Sequence, residues 1–598
     1  SFAGMGVVGW TLVVGINAAI IAYGLWKSRE TQRAVDWMLA ARGLPWWMVG
    51  LSMFATAVDS GDYVAVAGAA YQNGMNFITD WWLGITIGWI LVAWAVFLPM
   101  YRSGMFTNAE YLEARFGVVV RVVCAFVQVQ YRTLVLGLIA TAAFLTLSIV
   151  CGWSDAATWG VVGGIAVLAA IYTAFGGLRS VAVTDSLQFG VMTLAGLLIW
   201  FMVWSQVGGW SGMTERLEAH EGGLAAQMLE MGHDRVEVED VGASSAAEIE
   251  RKLLTGGDYD AERGTITRCT PGWLVAVAFI IIGVAYAVVN HTQSMRMFAA
   301  RSEWDMKMSV SVAGAVLLVM TFFNLSMGVM GRALFPDQSV LPGGSQDAIY
   351  PYLVGQFDIV GLKGLVVAGI LAAALSTYDS IGSTLSALLT RDVYARLLVR
   401  DRDDRHYLRV GQYLTPVIIA SSFLYVPFLL EGGMLLFYID LTSALVIPLL
   451  TLFLMGAMTR VHRKSGVIGL VVGTLYGVLR LLAPLIAEHF GVAVLPRALV
   501  NTYMAYPSSM LLTGSVMVLV SAFAGWEPRG ISLVRNQEQS PWLRTSQLAV
   551  RELQEEEDSS ARALPAYLAV ALFAVGCLLS FVVLCLRHLA SNLPHLFL

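Results

Sequence analysis

Long apolar runs alternate with short polar breaks along this chain, and most of the runs exceed what a soluble core needs. A bilayer crossing takes about 20 apolar residues in a helix. On that measure fourteen spans are predicted, at roughly 4–26, 45–73, 80–101, 118–150, 156–177, 184–207, 272–298, 308–334, 361–389, 408–429, 433–458, 465–487, 502–525 and 565–588. The pattern predicts an all-α integral membrane protein bedded in lipid. Two longer polar segments interrupt it. Residues 208–271 hold about twice as many acidic as basic residues and read as a solvated loop, with Glu237–Asp240 and Glu248–Lys252 able to form a small extramembrane cap. Residues 526–564 carry the acidic run Glu552-Leu-Gln-Glu-Glu-Glu-Asp558 and read as a linker. The chain thus divides into 1–44 (first helix and loop), 45–464 (a ten-helix core with the 208–271 insertion), 465–525 (two further helices), 526–564 (linker) and 565–598 (last helix and tail).

Composition agrees. Of 598 residues, 57% are hydrophobic and only 13% are charged, against roughly 25% charged in soluble chains. The five cysteines show neither metal-ligand spacing nor a disulfide framework. No phosphate-binding glycine loop of the Walker type is present, which argues against ATP-driven work. Nothing suggests an enzyme, an organic cofactor or a nucleic-acid partner. The chain starts at Ser1, as a trimmed start would. Its first apolar run lacks a basic leader and reads as a membrane helix, not a signal peptide.

Basic residues orient the spans, because they collect on the cytoplasmic side. Lys27, Arg29 and Arg33 follow the first span, Arg102 and Arg115 the third, Arg179 the fifth, and Arg296, Arg301 and Lys307 the seventh. Arg396, Arg400, Arg402, Arg405 and Arg409 follow the ninth, and Arg460, Arg463 and Lys464 the eleventh. Arg529, Arg535, Arg544 and Arg551 precede the last. All fall on one face if both termini and the 208–271 insertion are outside. The expected setting is a plasma membrane.

Polar groups at membrane depth are costly and mark function. Leu371-Ala-Ala-Ala-Leu-Ser-Thr-Tyr-Asp-Ser380 places Ser376, Thr377, Asp379 and Ser380 inside an apolar span. One hydroxyl would bond back to its own helix. Two adjacent hydroxyls followed by a carboxylate offer the hard oxygen donors that suit an alkali cation. Leu51-Ser-Met-Phe-Ala-Thr-Ala-Val-Asp-Ser-Gly-Asp-Tyr63 puts Asp59, Gly61 and Asp62 in another span. That composition predicts either an unwound helix lining a cavity or a helix facing the bundle with each Asp capped.

Several of these stretches resemble the sodium:solute symporter family. Ala-Ala-Leu-Ser-Thr-x-Asp-Ser followed by Thr390-Arg-Asp-Val-Tyr394 is similar to the family's eighth core helix. Thr107-Asn-Ala-Glu-Tyr-Leu-Glu-Ala-Arg-Phe-Gly117 and Gly176-Gly-Leu-Arg-Ser-Val-Ala-Val-Thr-Asp-Ser-Leu-Gln188 resemble two more of its signatures. The layout looks most like the sodium/glucose cotransporter branch. The resemblance implies a leucine-transporter-type core of five plus five helices in inverted repeat, spans two to six and seven to eleven. It implies a Na⁺ site from the carbonyls of Ala55, Val58 and Ala373 with the hydroxyls of Ser376 and Thr377. Asp185 would start a core helix, holding a second ion or receiving the departing one, or would cap that helix. Tyr286 matches an inner-gate tyrosine, with Asn290 one turn on. Asp62, Asp80 and Asp440 stand where the sugar branch has His, Glu and Gln. Asp80, in Thr79-Asp-Trp-Trp82, reads equally as an interfacial residue of an aromatic belt. His291 reads as structural. Leu317 stands where the sugar branch has Lys.

The resemblance and the buried polar groups together imply sodium-coupled symport of a small organic solute, a sugar or sugar-like polyol first. An amino acid or cationic amine is the alternative, given the acidic set Asp59, Asp62, Asp80 and Asp440. A transporter-like sensor or a passive channel is the reading of another class.

Overall fold

The computed structural model describes residues 6–29, 37, 43–92, 96–102, 105–220, 224–229, 234–357, 359–431 and 433–527. The expected last span, 565–588, and all but the first two residues of the 526–564 linker lie outside them. The long helices, in order, are α1 (Gly6–Ser28), the broken pair α2 (Trp46–Ala57) and α3 (Ala67–Asn73), α4 (Met75–Val92), the short α5 (Asn108–Phe116), α6 (Val118–Cys151) and α7 (Asp155–Val207). Then come α8 (Gly272–Val288), α9 (His291–Phe298), α10 (Glu303–Leu334), α11 (Leu362–Leu388), α12 (Asp404–Ser421), α13 (Met434–Met458), α14 (Ser465–Phe490) and α15 (Thr502–Ala524). Among the described residues nine helical stretches are long and apolar enough to cross a bilayer, or ten with α8 and α9 counted as one bent span.

Helix α7 covers two expected spans at once. Its 53 residues at 1.5 Å each would reach about 80 Å, far beyond a hydrocarbon core of about 30 Å. The helix therefore changes direction, and it does so at Gly177 (φ 67°, ψ −175°). A side chain there would be strained, and a Cβ would sit 2.8 Å from the Trp37 ring.

Helix α11 is the centre of the bundle. Every residue from Val366 to Leu388 is buried, against α1, α6, α7 and α12. Its small residues let neighbours approach, as apolar membrane packing requires. One close crossing is α4 on α8, where a Cβ on Gly283 would lie 2.2 Å from the Gly84 carbonyl oxygen.

The all-α expectation needs one correction. The insertion is not only a solvated loop: it folds. Arg235–Asp240 (β1), Asp258–Asp260 (β2) and Thr265–Thr270 (β3) form an antiparallel sheet in the order β1-β3-β2. Helix Ala246–Leu253 is closed by a Ser245/Glu248 capping box. A small sheet with open edges is stable outside the bilayer because water satisfies those edges, which lipid cannot.

Two of the family-like stretches meet at the other end. Thr107 caps α5 and donates to Asp392 at 2.9 Å. Arg121 bridges Asp392 and Glu113, both at 2.6 Å, and Arg396 reaches Glu113 at 2.7 Å. Arg391 pairs with Glu110. Buried carboxylates and guanidiniums are each matched, which fixes α5 against the end of α11.

Candidate functional site

Helix α2 stops at Ala57, and its own carboxylates stop it. Val58 leaves the helical region (φ −108°, ψ 96°). The Asp59 carboxylate accepts from the amides of Gly61 (2.7 Å) and Asp62 (3.2 Å), and the Asp62 carboxylate accepts from the Asp59 amide (2.9 Å). This is a reciprocal cap for the turn Asp62–Val66 that leads into α3. The Asp59 amide would otherwise donate to Ala55. Its diversion leaves the Ala55 carbonyl without a helix donor.

That carbonyl faces α11. Ser376 Oγ lies 3.2 Å from Ala55 O, and Thr377 Oγ1 donates back to Ala373 O at 3.2 Å. Ala55, Val58, Ala373, Ser376 and Thr377 are all buried, with Ser376 reaching across the break and Thr377 remaining on its own turn.

Asp185 joins this cluster from inside α7. It neither starts nor caps a helix, because the chain stays helical past Gly177. Its carboxylate accepts from Ser376 (2.7 Å), Ser52 (2.6 Å) and Arg296 (3.1 Å). Arg296 also donates to Ser380 and, at 2.7 Å, to Ser52. Arg296 is thus a fully buried charge of the core rather than a basic loop residue. Asp379, the second buried acid, accepts from Tyr172 at 2.5 Å. One guanidinium therefore stands among two carboxylates.

Beside the α2 break lies a cavity of about 120 Å³, room for about four waters at roughly 30 Å³ each. Asp59, Asp62, Arg132, Trp81, Trp89, Phe279, Tyr286, Leu317 and Tyr438 are among its walls. Tyr286 stacks on Trp89 at 6.0 Å and accepts from Gln293 at 3.3 Å. The Arg132 guanidinium lies 5.5 Å from the rings of Tyr131 and Tyr286, and its Nε has no hydrogen-bond partner among the described residues. Tyr131 and Tyr438 share a 2.6 Å hydroxyl contact.

The expected solute set is divided by this geometry. Asp62 and Tyr286 line the cavity; Asp80, Asn290 and Asp440 are not among its walls. Asn290 caps α9 by accepting from the Thr292 amide at 3.2 Å. Asp80 pairs with Arg235 of the insertion at 3.4 Å. Asp440 pairs with Arg480 of α14 at 3.0 Å and accepts from Thr502 at 2.7 Å. Arg132, Arg296 and Ser52 were not anticipated as site residues, although an Arg well inside the apolar 118–150 run is a signal of the same kind as Asp59.

A helical membrane bundle with a broken helix, a freed carbonyl facing a hydroxyl of α11, and beside them an aromatic-walled cavity holding Asp59, Asp62 and Arg132 is the arrangement of an ion-coupled carrier. The sodium:solute symporter family model matches residues 37–473, and the chain belongs to that family. It is a sodium-coupled symporter. Human sodium/myo-inositol cotransporter 2 is 27% identical over 77% of this chain and 68% of its own length. Rat sodium/glucose cotransporter 2 is 28% identical over 77% of this chain and 70% of its own. A solved substrate-bound, outward-open Na⁺-coupled sialic acid symporter superposes with a TM-score of 0.70 at 20% identity, covering 87% of this chain and 99% of that one.

Proposed function

We propose that this symporter takes up a small sugar-like polyol together with Na⁺ by alternating access around the α2 break. The observation that carries the ion half is the Ser376 hydroxyl 3.2 Å from the released Ala55 carbonyl. Na⁺ sits between them, completed by Val58 O, Ala373 O and Thr377 Oγ1. Those five oxygens carry no formal charge, which suits a releasable ion. Asp185 and Asp379 outnumber Arg296, so a second cation beside Asp185, bound or leaving, relieves the buried negative charge.

The two broken helices support a five-plus-five inverted repeat. The break after α2 is capped by Asp59 and the 49° bend between α8 and α9 by Asn290, each accepting from the amide two residues on. Fourteen spans with both termini outside a plasma membrane complete this reading.

For the solute, aromatic walls with Asp62 suit a ring carrying hydroxyls, since an ionised carboxylate accepts but does not donate. The relatives' named solutes, myo-inositol and glucose, point the same way. One observation favours a second reading. Arg132 faces the same cavity as Asp59 and Asp62, which matches an amino-acid zwitterion. A thermal-unfolding screen decides between them: myo-inositol, glucose and amino acids, each with and without Na⁺. Stabilisation by a polyol only in Na⁺ supports the first reading. Stabilisation by amino acids alone, lost in Arg132→Met, replaces it with the second.

A further inference from the structure

The β1 strand reaches back into the bundle. Arg235 is its first residue, and its side chain is only 6% exposed. The guanidinium lies 5.2, 5.4 and 5.0 Å from the rings of Phe77, Phe279 and Tyr503. It pairs with Asp80 at 3.4 Å and donates to the Tyr503 hydroxyl. The sheet that delivers it is seated on the helices. Arg251 donates to Glu488 O at 3.0 Å, and Asn501, the cap of α15, donates to Thr270 of β3 at 2.8 Å. Thr270 stands opposite Arg235 in the β1–β3 ladder. Arg235 is therefore fixed from both sides, by its strand and by the cage it enters.

The rings it touches continue into the cavity. Phe77 meets Phe279 edge to face at 5.3 Å and Trp81 at 5.6 Å, and Phe279 meets Trp81 at 6.1 Å. Phe279 and Trp81 are walls of the cavity, whereas Arg235, Phe77, Asp80 and Tyr503 are not among its walls. Lipid tails are as apolar as aromatic rings, so apolar contact alone gives such rings little reason to keep one arrangement in a membrane. A desolvated guanidinium supplies that reason. It is drawn to ring faces by their quadrupoles and to a carboxylate by charge, and both attractions have a direction. Asp80 enters twice, as the counter-ion of Arg235 and as the chain neighbour of Trp81.

We infer that Arg235 is a positioning residue for the solute: from outside the cavity it fixes the Phe279 and Trp81 walls. This rests on the cavity being the solute's site. It gives the insertion a share in solute recognition through one side chain, and it makes Asp80 the counter-ion of that side chain.

The test uses the full chain in two measurements. In nanodiscs, para-trifluoromethylphenylalanine in place of Trp81 reports on the wall by fluorine NMR. The parent gives one resonance. Arg235→Met and Tyr503→Leu each shift or split it, and Arg235→Lys, which keeps the cation, returns most of the parental line. Lys252→Ala, which breaks a 2.8 Å pair with Glu239 inside the insertion, leaves it as in the parent. In proteoliposomes with native Trp81, Arg235→Met raises the KM of Na⁺-driven myo-inositol uptake about 3- to 30-fold, the range of one lost cation–π contact. Arg235→Lys raises it less. The Na⁺ midpoint of thermal unfolding without solute stays parental, which a general loosening of the bundle would not allow. The rise is lost in a Phe279→Leu background, because Arg235 acts through that ring. Thermal unfolding confirms that each variant is folded, and Tyr503→Leu decides if Arg235→Met is not. A parental resonance or a parental KM in the folded variant overturns the inference, and so does a rise in KM that persists with Phe279→Leu. If the resonance responds as expected but the parent takes up no myo-inositol, Arg235 keeps its place behind the wall and the polyol reading falls.

Discussion

Ser376 and Thr377 are neighbours in sequence and both are assigned to Na⁺, yet their removal has different consequences. Ser376 is the donor that reaches Asp185 Oδ1; the contacts from Ser52, Arg296 and Ser380 fall on Oδ2. Ser376→Ala strips that buried oxygen of its donor, at a cost of about 1–3 kcal/mol before any ion is considered. Thr377 donates only to Ala373 O, a helix carbonyl that keeps its amide donor, so Thr377→Ala orphans nothing. Each variant also loses one oxygen of five around a full charge, about 1.5–3 kcal/mol. That shifts half-saturation by Na⁺ roughly 10- to 150-fold. Thermal unfolding of the purified protein over a Na⁺ series, with choline holding ionic strength constant, reads both effects. Without Na⁺, Thr377→Ala unfolds with the parent and Ser376→Ala unfolds earlier. With Na⁺, both respond only at higher concentration. A double alanine variant with the parent's Na⁺ midpoint would refute the site.

Tyr286→Phe keeps the ring stacked on Trp89 and loses one 3.3 Å hydrogen bond, so Na⁺-driven uptake in proteoliposomes stays near normal, whereas Tyr286→Ala impairs it; equal uptake by the two removes the gate. Gly283→Ala drives a methyl to 2.2 Å from a backbone oxygen of α4 and costs at least about 1–3 kcal/mol in thermal stability, while Gly160→Ala, with nothing within 4 Å, is silent. Asp440→Asn loosens Arg480 without touching the cavity, so it lowers stability modestly and leaves the solute KM unchanged; a raised KM would put Asp440 back in the solute's path. Asp62→Asn weakens solute binding by about 1–3 kcal/mol and leaves Na⁺ binding in the absence of solute intact, measured by calorimetry.

Much of the fold was legible because bilayer physics is one-dimensional. Each of the first thirteen expected spans overlaps a helix, since length and apolarity alone select a crossing segment. The turn at Gly177 falls where Arg179 and Ser180 divide two expected spans, so the change of direction was legible; what hydropathy cannot register is that helical hydrogen bonding runs on through it. The insertion's sheet was hidden for another reason. Its strands alternate over only six residues at most, and β1 puts its charges Arg235, Glu237 and Glu239 on the face where Arg235 is buried while Val236 and Val238 are exposed, the reverse of the usual pattern. The basic-residue count overreached at Arg296, whose sequence neighbourhood looks like a loop end but whose guanidinium has Asp185 as its counter-ion.

The site was legible where its chemistry is local and lost where a partner comes from far along the chain. Ser376 with Thr377, and Asp59 with Asp62, are short-range patterns whose meaning lies in one helix and its break. Asp80 and Asp440 were placed in the cavity by the family position they occupy, as acids with no visible counter-charge. Their counter-charges come from Arg235, 155 residues away in the insertion, and Arg480, on one of the two helices after the core. A resemblance carried by a few short motifs shows an acid and not the arginine that neutralises it. Because an unpaired buried carboxylate is so costly, buried Asp80 demands a cation from elsewhere in the chain before it is free to meet a solute, and the half-buried Asp440 is taken up by Arg480. The same test leaves Arg132 standing. It is a buried cation on the cavity wall with an unpartnered Nε, and the Asp59 and Asp62 carboxylates nearest it in the wall are already accepting backbone amides at the helix break. What balances Arg132 during transport is therefore the most direct evidence obtainable about the charge of the solute.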